Sequence, residues 1–193
     1  MMQYLKEEIK KYSRLSYQRG LVGAAGGNIS MRYEDAFLIT AGGISLRDIT
    51  ENEILLVDQN GKILEGKQGL KPSKETIMHL KVYKARENVD SIIHVHSPYA
   101  TGYSIKKHSI PIITASAKMK LIEVPVVPYA NPGTVELAEN VEKNVKNCPD
   151  YIKAVLLECH GIIAFDKGLG NCFDVAELVE DTAKIAFISE NIK

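Results

Sequence analysis

The sequence predicts an α/β (α+β) fold, a single domain with a central mixed, largely antiparallel β-sheet flanked by helices. Short apolar segments alternate imperfectly with segments of helical periodicity, as expected for packed layers of sheet and helix. Tight-turn signals separate the early strand segments and predict hairpins, whereas helical stretches separate the later ones and predict crossovers. The length of 193 residues fits one domain, which we expect to span residues 1–193.

Composition and charge exclude several classes of protein. Apolar residues make up 45% of the chain and the formal net charge is zero, without the basic stripe expected of a nucleic-acid surface. No apolar run approaches the roughly 20 residues needed to span a bilayer, and the charged, amphipathic N-terminus is unlike a signal peptide. The cysteines Cys148, Cys159 and Cys172 show no C-x-x-C spacing, which favours a reducing, cytoplasmic location.

Apolar spacing and turn residues predict the elements of the first half of the chain in order. Helical spacing from Leu5 to Ser16 predicts an amphipathic helix that ends near Gly20. Two hairpins and a helix then follow: strands 29–33 and 36–40 joined at Glu34–Asp35, strands 53–58 and 62–64 joined at Asn60–Gly61, and a helix over 73–87 with Ser73 as its N-cap.

The second half of the chain is predicted to contain further buried strands and three helices. A helix begins at Pro98, because proline is tolerated in the first turn. The other predicted elements are strands over 91–97, 110–114, 124–127, 154–160 and 162–165, a helix over 133–145 and a long helix from 169 to 188 or beyond.

Two glycine loops follow predicted elements. The first, Gly23–Ser30, has three glycines within five residues, and Gly42–Gly43 form a second loop directly after a strand. Such loops let a ligand approach the main chain, and their N–H groups can bind an anion. Taken alone, the first loop is equally consistent with a plain tight turn. Neither loop has the G-x-G-x-x-G or Walker pattern of a nucleotide site.

A pair of histidines in an apolar strand is the strongest indication of chemistry. Alternation places His94 and His96 on one face of the strand, while Ile93 and Val95 point into a core. Two imidazoles on one side of a buried strand are unfavourable unless their nitrogens are used. Since neutral imidazole is the commonest metal ligand among side chains, we expect a metal here.

A third histidine, His160, lies at the end of another buried strand, so that a set of three imidazoles is plausible. Three protein ligands and an open position are typical of catalytic zinc. Single buried histidines are usually hydrogen-bonded core residues, and spacing alone does not identify the third ligand. His79 and His108 are given no role.

Glu75 would lie in the first turn of the helix that starts near Ser73. On local grounds it is simply a glutamate that suits the positive end of the helix dipole. The same helix start could bind a phosphate through its free N–H groups.

Taken together, these motifs resemble the class II aldolase/adducin family, in particular its L-fuculose-phosphate aldolase group. The resemblance covers roughly residues 5 to 185, and although each motif is short, the ordered set is specific. The matching segments are 27–30, 38–43, 72–75, the His94 and His96 pair, 128–134 and 160–161.

The resemblance implies a class II aldolase-like fold and assigns roles to individual residues. It implies a zinc ion on His94, His96 and His160, with manganese or cobalt as possible substitutes. Glu75 matches the acid/base carboxylate of the family, which can also contact the metal. The positions that match the family's substrate phosphate site are Gly27, Asn28, Gly42, Gly43, Ser73 and Lys74.

The activity implied by the resemblance is reversible cleavage of a ketose 1-phosphate, such as L-fuculose 1-phosphate, to dihydroxyacetone phosphate and a small aldehyde such as lactaldehyde. Family members also include a pentulose-5-phosphate 4-epimerase and a methylthioribulose-1-phosphate dehydratase, and a non-catalytic adducin-like assembly module is a more remote alternative. A homotetramer with active sites between subunits is expected.

The chain departs from the family pattern in four places. Gly42 stands where many relatives have threonine or serine, and Lys74 replaces the usual serine; phosphate binding is still expected. Around Ala115–Ser116 the tyrosine or acidic residue of relatives is missing, and a C-terminal tail carrying a tyrosine is not expected. The last two departures leave the aldehyde specificity and the reaction type open.

Overall fold

A computed structural model of the protein describes residues 1–106 and 108–192. Its centre is an eight-stranded sheet with the strand order β4-β3-β2-β1-β5-β8-β7-β6. Neighbouring strands are antiparallel except for β6 and β7, which are parallel. The predicted mixed, largely antiparallel sheet is therefore confirmed.

The strands are short and the helices vary from two turns to six. The strands are β1 Asn28–Tyr33, β2 Ala36–Thr40, β3 Ile54–Val57, β4 Ile63–Glu65, β5 Ser91–Val95, β6 Val126–Val127, β7 Ala154–Leu157 and β8 Gly161–Asp166. The α-helices of the described residues are α1 Met2–Gln18, α2 Thr76–Ala85, α3 Pro98–Ile105, α4 Ala115–Lys120, α5 Val135–Asn147 and α6 Leu169–Asn191.

Helices cover both faces of the sheet and enclose two apolar cores. One core packs α1, α3, α4 and α6 against the sheet, and the other packs α2 and α5 against the opposite face. Because strand side chains alternate, Ile93 joins the first core and Ile92 the second. Every residue of β5 is buried, so a polar side chain within it needs a specific partner.

The two predicted hairpins are present. Strands β1 and β2 are joined at Glu34–Asp35, where Glu34 takes a positive φ of 52°. Strands β3 and β4 are joined by a turn that includes Asn60 and Gly61, with Gly61 at a φ of 81°. The residues of the two turns therefore indicate correctly which strands of this half of the sheet form hairpins.

Two predictions of local structure are wrong. Residues 110–114 form no strand, and Thr114 instead caps α4 by accepting a hydrogen bond from the Ala117 N–H at 3.3 Å. Pro111 has no N–H with which to pair in a sheet. Ser73 is not the N-cap of α2, because the helix begins at Thr76 with Glu75 as N-cap; the Ser73 hydroxyl accepts from the Glu75 N–H at 3.2 Å.

Within the described ranges, each helix is too short or too polar to cross a bilayer.

Candidate active site

Two histidines converge at the end of the central strand β5. His94 is the fourth residue of β5 and fully buried, and His96 follows the strand and is half-buried. Their Nε2 atoms lie 3.0 Å apart. Strand alternation had predicted that these side chains share a face, and the structure brings their ring nitrogens together.

The third histidine reaches the same point from the turn between β7 and β8. His160 follows Cys159, whose positive φ of 58° turns the chain. Its ring centroid is 4.8 Å from that of His94 and 4.9 Å from that of His96. Because β8 pairs with β5, the turn before β8 holds His160 beside the other two imidazoles.

Glu75 completes the cluster from the N-cap position of α2. Its Oε2 lies 3.2 Å from His94 Nε2, and its Oε1 lies 3.2 Å from His160 Nε2. Asn28 donates a hydrogen bond from its amide nitrogen to Oε2 at 2.9 Å. The carboxylate is almost completely buried, with 3% of the side chain exposed. The glutamate therefore faces the histidines rather than solvent.

Electrostatics favour an ionised glutamate and a neutral His96. Burial by itself raises the pKa of Glu75, but the neighbouring imidazoles of His94 and His160 and the hydrogen bond from Asn28 outweigh it and lower this pKa. Burial and the neighbouring imidazoles of His94 and His160 lower the pKa of His96 to about 3. A neutral imidazole beside a carboxylate is the state that a metal ligand set requires.

The tautomer of His94 follows from the backbone carbonyl that its Nδ1 contacts. Its Nδ1 lies 2.8 Å from the carbonyl oxygen of Ile162, which only accepts hydrogen bonds, so Nδ1 carries the proton. When the ring is neutral, its Nε2 offers a lone pair towards Glu75 Oε2. Two acceptors at 3.2 Å are stable only with a proton or a cation between them.

The spacing of these atoms fits a divalent cation. One ligand atom from each of the four residues lies within 4.8 Å of all the others. Zinc at about 2.0–2.1 Å from tetrahedral ligands places those ligands roughly 3.3 Å apart, close to the 3.0 and 3.2 Å seen here. The cluster could therefore hold a metal ion.

Thr40 ties together the chain segments predicted to bind phosphate. Its hydroxyl accepts from the Ile29 N–H at 3.2 Å, and its carbonyl accepts from the Ser73 N–H at 3.2 Å. Gly42 lies against the Pro72–Ser73 backbone, where a Cβ would come within 3.2 Å of the Pro72 carbonyl oxygen. The second glycine loop thus packs directly on the start of α2.

Among the other predicted phosphate residues, Gly27 and Asn28 lie directly against the residues of the cluster. Gly27, at a positive φ of 75°, lies against the carbonyl oxygen of His94, and Gly43 takes a positive φ of 76°. The hydrogen bond from Asn28 to Glu75 uses one of the two amide N–H groups, and the other can donate elsewhere. The side chain of the exposed Lys74 lies against Gly133.

The structure adds a residue to which the sequence assigned no role. His79 is fully buried one turn after Glu75, and burial lowers its pKa to about 3. Its Nε2 lies 2.6 Å from Asn28 Oδ1, and its Nδ1 lies 2.7 Å from Ser30 Oγ. Residues two apart on a strand share a face, as do residues four apart on a helix. This spacing could have indicated from the sequence that Asn28 shares a face with Ser30, and Glu75 with His79.

Comparison with known proteins places the chain in a family. The model of the Class II Aldolase and Adducin N-terminal domain matches residues 7–187. The L-fuculose phosphate aldolase of Methanococcus maripaludis strain S2 is 33% identical over 186 residues, 96% of this chain and 98% of that protein.

Solved structures agree with this assignment. One described as L-fuculose 1-phosphate aldolase matches with a TM-score of 0.88 and 36% identity, over 96% of this chain and 86% of that one. YgbL from Klebsiella pneumoniae, described with the alternative activities aldolase, epimerase and decarboxylase, matches with a TM-score of 0.89 and 28% identity, over 100% and 93% of the two chains. The chain therefore belongs to the class II aldolase and adducin family, as an enzyme similar to the L-fuculose phosphate aldolases.

Proposed function

We propose that this protein is a metal-dependent aldolase that reversibly cleaves a ketose 1-phosphate to dihydroxyacetone phosphate and a small aldehyde. L-fuculose 1-phosphate, which would give lactaldehyde, is the substrate that we would test first. The main support is the buried Glu75 carboxylate, which lies 3.2 Å from the Nε2 atoms of both His94 and His160. A carboxylate next to a metal ligand set is the arrangement that aldol chemistry at a metal needs.

The three imidazoles of His94, His96 and His160 would hold the cation, with Glu75 in reach of the same position. A Zn²⁺ ion held there, or Mn²⁺ or Co²⁺ in its place, would act as a Lewis acid and stabilise negative charge on the substrate oxygens. The hydrogen bond of His94 to the Ile162 carbonyl fixes the ring so that its Nε2 faces this position.

Glu75 would move the proton of the reacting carbon. In the direction of synthesis, the ionised carboxylate accepts a proton from the hydroxymethyl carbon of dihydroxyacetone phosphate. In the direction of cleavage, it returns a proton to the same carbon. The hydrogen bond from Asn28 orients Glu75 for this step. Positioned general acid/base groups typically contribute about 10²–10⁴-fold to the rate.

The glycine loops and the start of α2 would hold the phosphate, which does not react. The residues that we assign to this role are Gly27, Asn28, Gly42, Gly43, Ser73 and Lys74. Binding energy at the phosphate would fix the reacting carbon near Glu75. The cation of Lys74 would add charge attraction where many relatives have a serine hydroxyl.

We extend the proposal to assembly and location on the basis of the family resemblance. A homotetramer with active sites between subunits, acting in the cytoplasm, is the arrangement that we propose. Light scattering on a sizing column would test it, and a purely monomeric active enzyme would contradict it.

The test of function combines zinc analysis with the Glu75→Gln variant, which keeps the size of the side chain and removes its charge. We expect the wild type to cleave L-fuculose 1-phosphate or another ketose 1-phosphate, and the variant to lose about 10²–10⁴-fold in kcat with zinc retained. Glu7→Gln, a change on the exposed side of α1, is the matched control. Unchanged turnover in Glu75→Gln would remove this residue from the mechanism.

The identity of the products separates the proposal from its rivals. Only the aldolase releases dihydroxyacetone phosphate; the epimerase and the dehydratase of the same family would not. A metal-free protein with an intact fold and no turnover on any sugar phosphate would favour an adducin-like assembly module.

A further inference from the structure

A row of buried polar side chains leads from the core to the Glu75 carboxylate. The row begins at Tyr83, whose hydroxyl lies 2.8 Å from Ser30 Oγ, and Ser30 Oγ lies 2.7 Å from His79 Nδ1. His79 Nε2 lies 2.6 Å from Asn28 Oδ1, and the Asn28 amide nitrogen lies 2.9 Å from Glu75 Oε2. All five side chains are buried, so the links persist without competition from water.

The chemistry of the acceptors determines the direction of every hydrogen bond in this row. An ionised carboxylate only accepts, so the nitrogen of the Asn28 amide faces Glu75 and its carbonyl oxygen faces His79. His79 Nε2 must then carry the proton of the neutral ring. Its Nδ1 accepts from the hydroxyl of Ser30, so that Ser30 must accept in turn from Tyr83 at 2.8 Å. The other acceptor near the Tyr83 hydroxyl, the Asp90 carbonyl oxygen, is farther away, at 3.4 Å.

We propose that His79, fixed as its Nε2–H tautomer by Ser30 and Tyr83, is a positioning residue that holds the Asn28 amide with its N–H groups towards Glu75. The role of Glu75 as the base is the proposed function on which this inference rests. Without His79, the amide of Asn28 could rotate and present its carbonyl oxygen to the carboxylate, which would repel it. Glu75 would then lose its orientation towards the histidines.

The placement of the row supports a role beyond packing. Asn28 and Ser30 point from β1 towards α2, where His79 and Tyr83 stand one helical turn apart. Burying an imidazole, an amide and two hydroxyls is unfavourable unless each is hydrogen-bonded, and apolar side chains would fill the space without this cost. The row ends at Glu75, the group whose geometry matters most for catalysis. Loss of comparable outer-shell partners typically lowers activity or metal affinity by about 10–100-fold.

The first experiment measures the tautomer of His79 in the metal-free wild-type protein. Nitrogen-15 NMR of the imidazole rings, with His79→Gln to assign the signals, distinguishes protonated from unprotonated ring nitrogens. We expect a protonated Nε2 and an unprotonated Nδ1 at pH 7. The opposite tautomer would overturn the proposal. This result does not depend on the substrate, so it stands even if the wild type cleaves no ketose phosphate and the proposed function fails.

The second experiment compares Ser30→Ala with Ser104→Ala, because both serines are buried and hydrogen-bonded while Ser104 lies in α3 away from the row. We expect Ser30→Ala to lose about 10–100-fold in kcat, with the KM for the sugar phosphate and the zinc content retained. Ser104→Ala should keep the wild-type kcat. Tyr83→Phe serves as the second variant if Ser30→Ala does not fold. A kcat equal to that of the wild type in Ser30→Ala, or in the folded Tyr83→Phe, would refute the positioning role. An equal loss of kcat in Ser30→Ala and Ser104→Ala would refute it as well.

Discussion

The Gly26→Ala substitution tests how precisely the first glycine loop positions a histidine. A Cβ built on Gly26 would lie 2.8 Å from His96 Nδ1, and 3.4 Å is where ordinary contact begins. The ring or the loop must therefore shift by about 0.6 Å, whereas metal sites tolerate about 0.2 Å in ligand distance. The backbone of Gly26 does not need the left-handed region, so the substitution perturbs the ligand more than the chain conformation.

Displacement of one ligand should weaken metal binding without unfolding the protein. We expect the affinity for zinc to fall by about 10–100-fold, the range measured when support for a ligand is lost. That change corresponds to about 1.4–2.7 kcal/mol of binding free energy.

The assay is a competition between the metal-free protein and a chelator of known affinity, with thermal unfolding of the metal-free protein as a check. Gly23→Ala is the matched control, because it lies in the same loop and nothing stands within 4 Å of its Cβ. Equal zinc affinity in wild type and a folded Gly26→Ala would refute the reasoning.

Three further perturbations follow from the structure. Between pH 7 and pH 5, the free energy of unfolding should fall by about 2 kcal/mol less in His79→Gln than in the wild type. The pKa of buried His79 is about 3, below its ordinary value, and the stability that this shift contributes above pH 6.5 is lost as the pH falls towards 3. Thr134→Ala removes the N-cap bond to the Leu137 N–H and should cost about 0.5–2 kcal/mol in urea unfolding. Zinc at 100 times its Kd should stabilise the wild type by about 2.7 kcal/mol but not His160→Ala.

Each of these predictions has a clear contrary outcome. A pH dependence that is identical in His79→Gln and wild type would show that His79 is not held neutral. Unchanged stability in Thr134→Ala would show that the cap adds nothing to α5. The exposed His108 provides the control for His160, and equal zinc stabilisation of His108→Ala and His160→Ala would place the metal elsewhere.

The sequence predicted those parts of the structure that depend on local signals. Asn60–Gly61 marks its turn through backbone conformation, and the alternation in Ser91–Val95 places His94 opposite Ile93. The resemblance to a family supplied what spacing could not, namely that Glu75 and His160 face the same point. Both residues lie far from His94 along the chain.

Residues 110–114 and His79 show where sequence patterns fail. The β-branched residues of 110–114 favour a strand, but a strand needs a neighbour to pair with, and the caps and turns there compete with pairing. His79 forms its hydrogen bonds with residues 49 and 51 positions away. Spacing can show that His79 shares a helix face with Tyr83, but not that this face meets Asn28 and Ser30, so the contact emerges only from the folded chain.

X-ray absorption at the zinc edge of the zinc-loaded protein tests the central claim most directly. The proposed metal site predicts one zinc per chain, with three imidazole nitrogens of His94, His96 and His160 at about 2.0–2.1 Å. A spectrum with fewer than three imidazoles, or with sulfur from a cysteine in the first shell, would contradict the account.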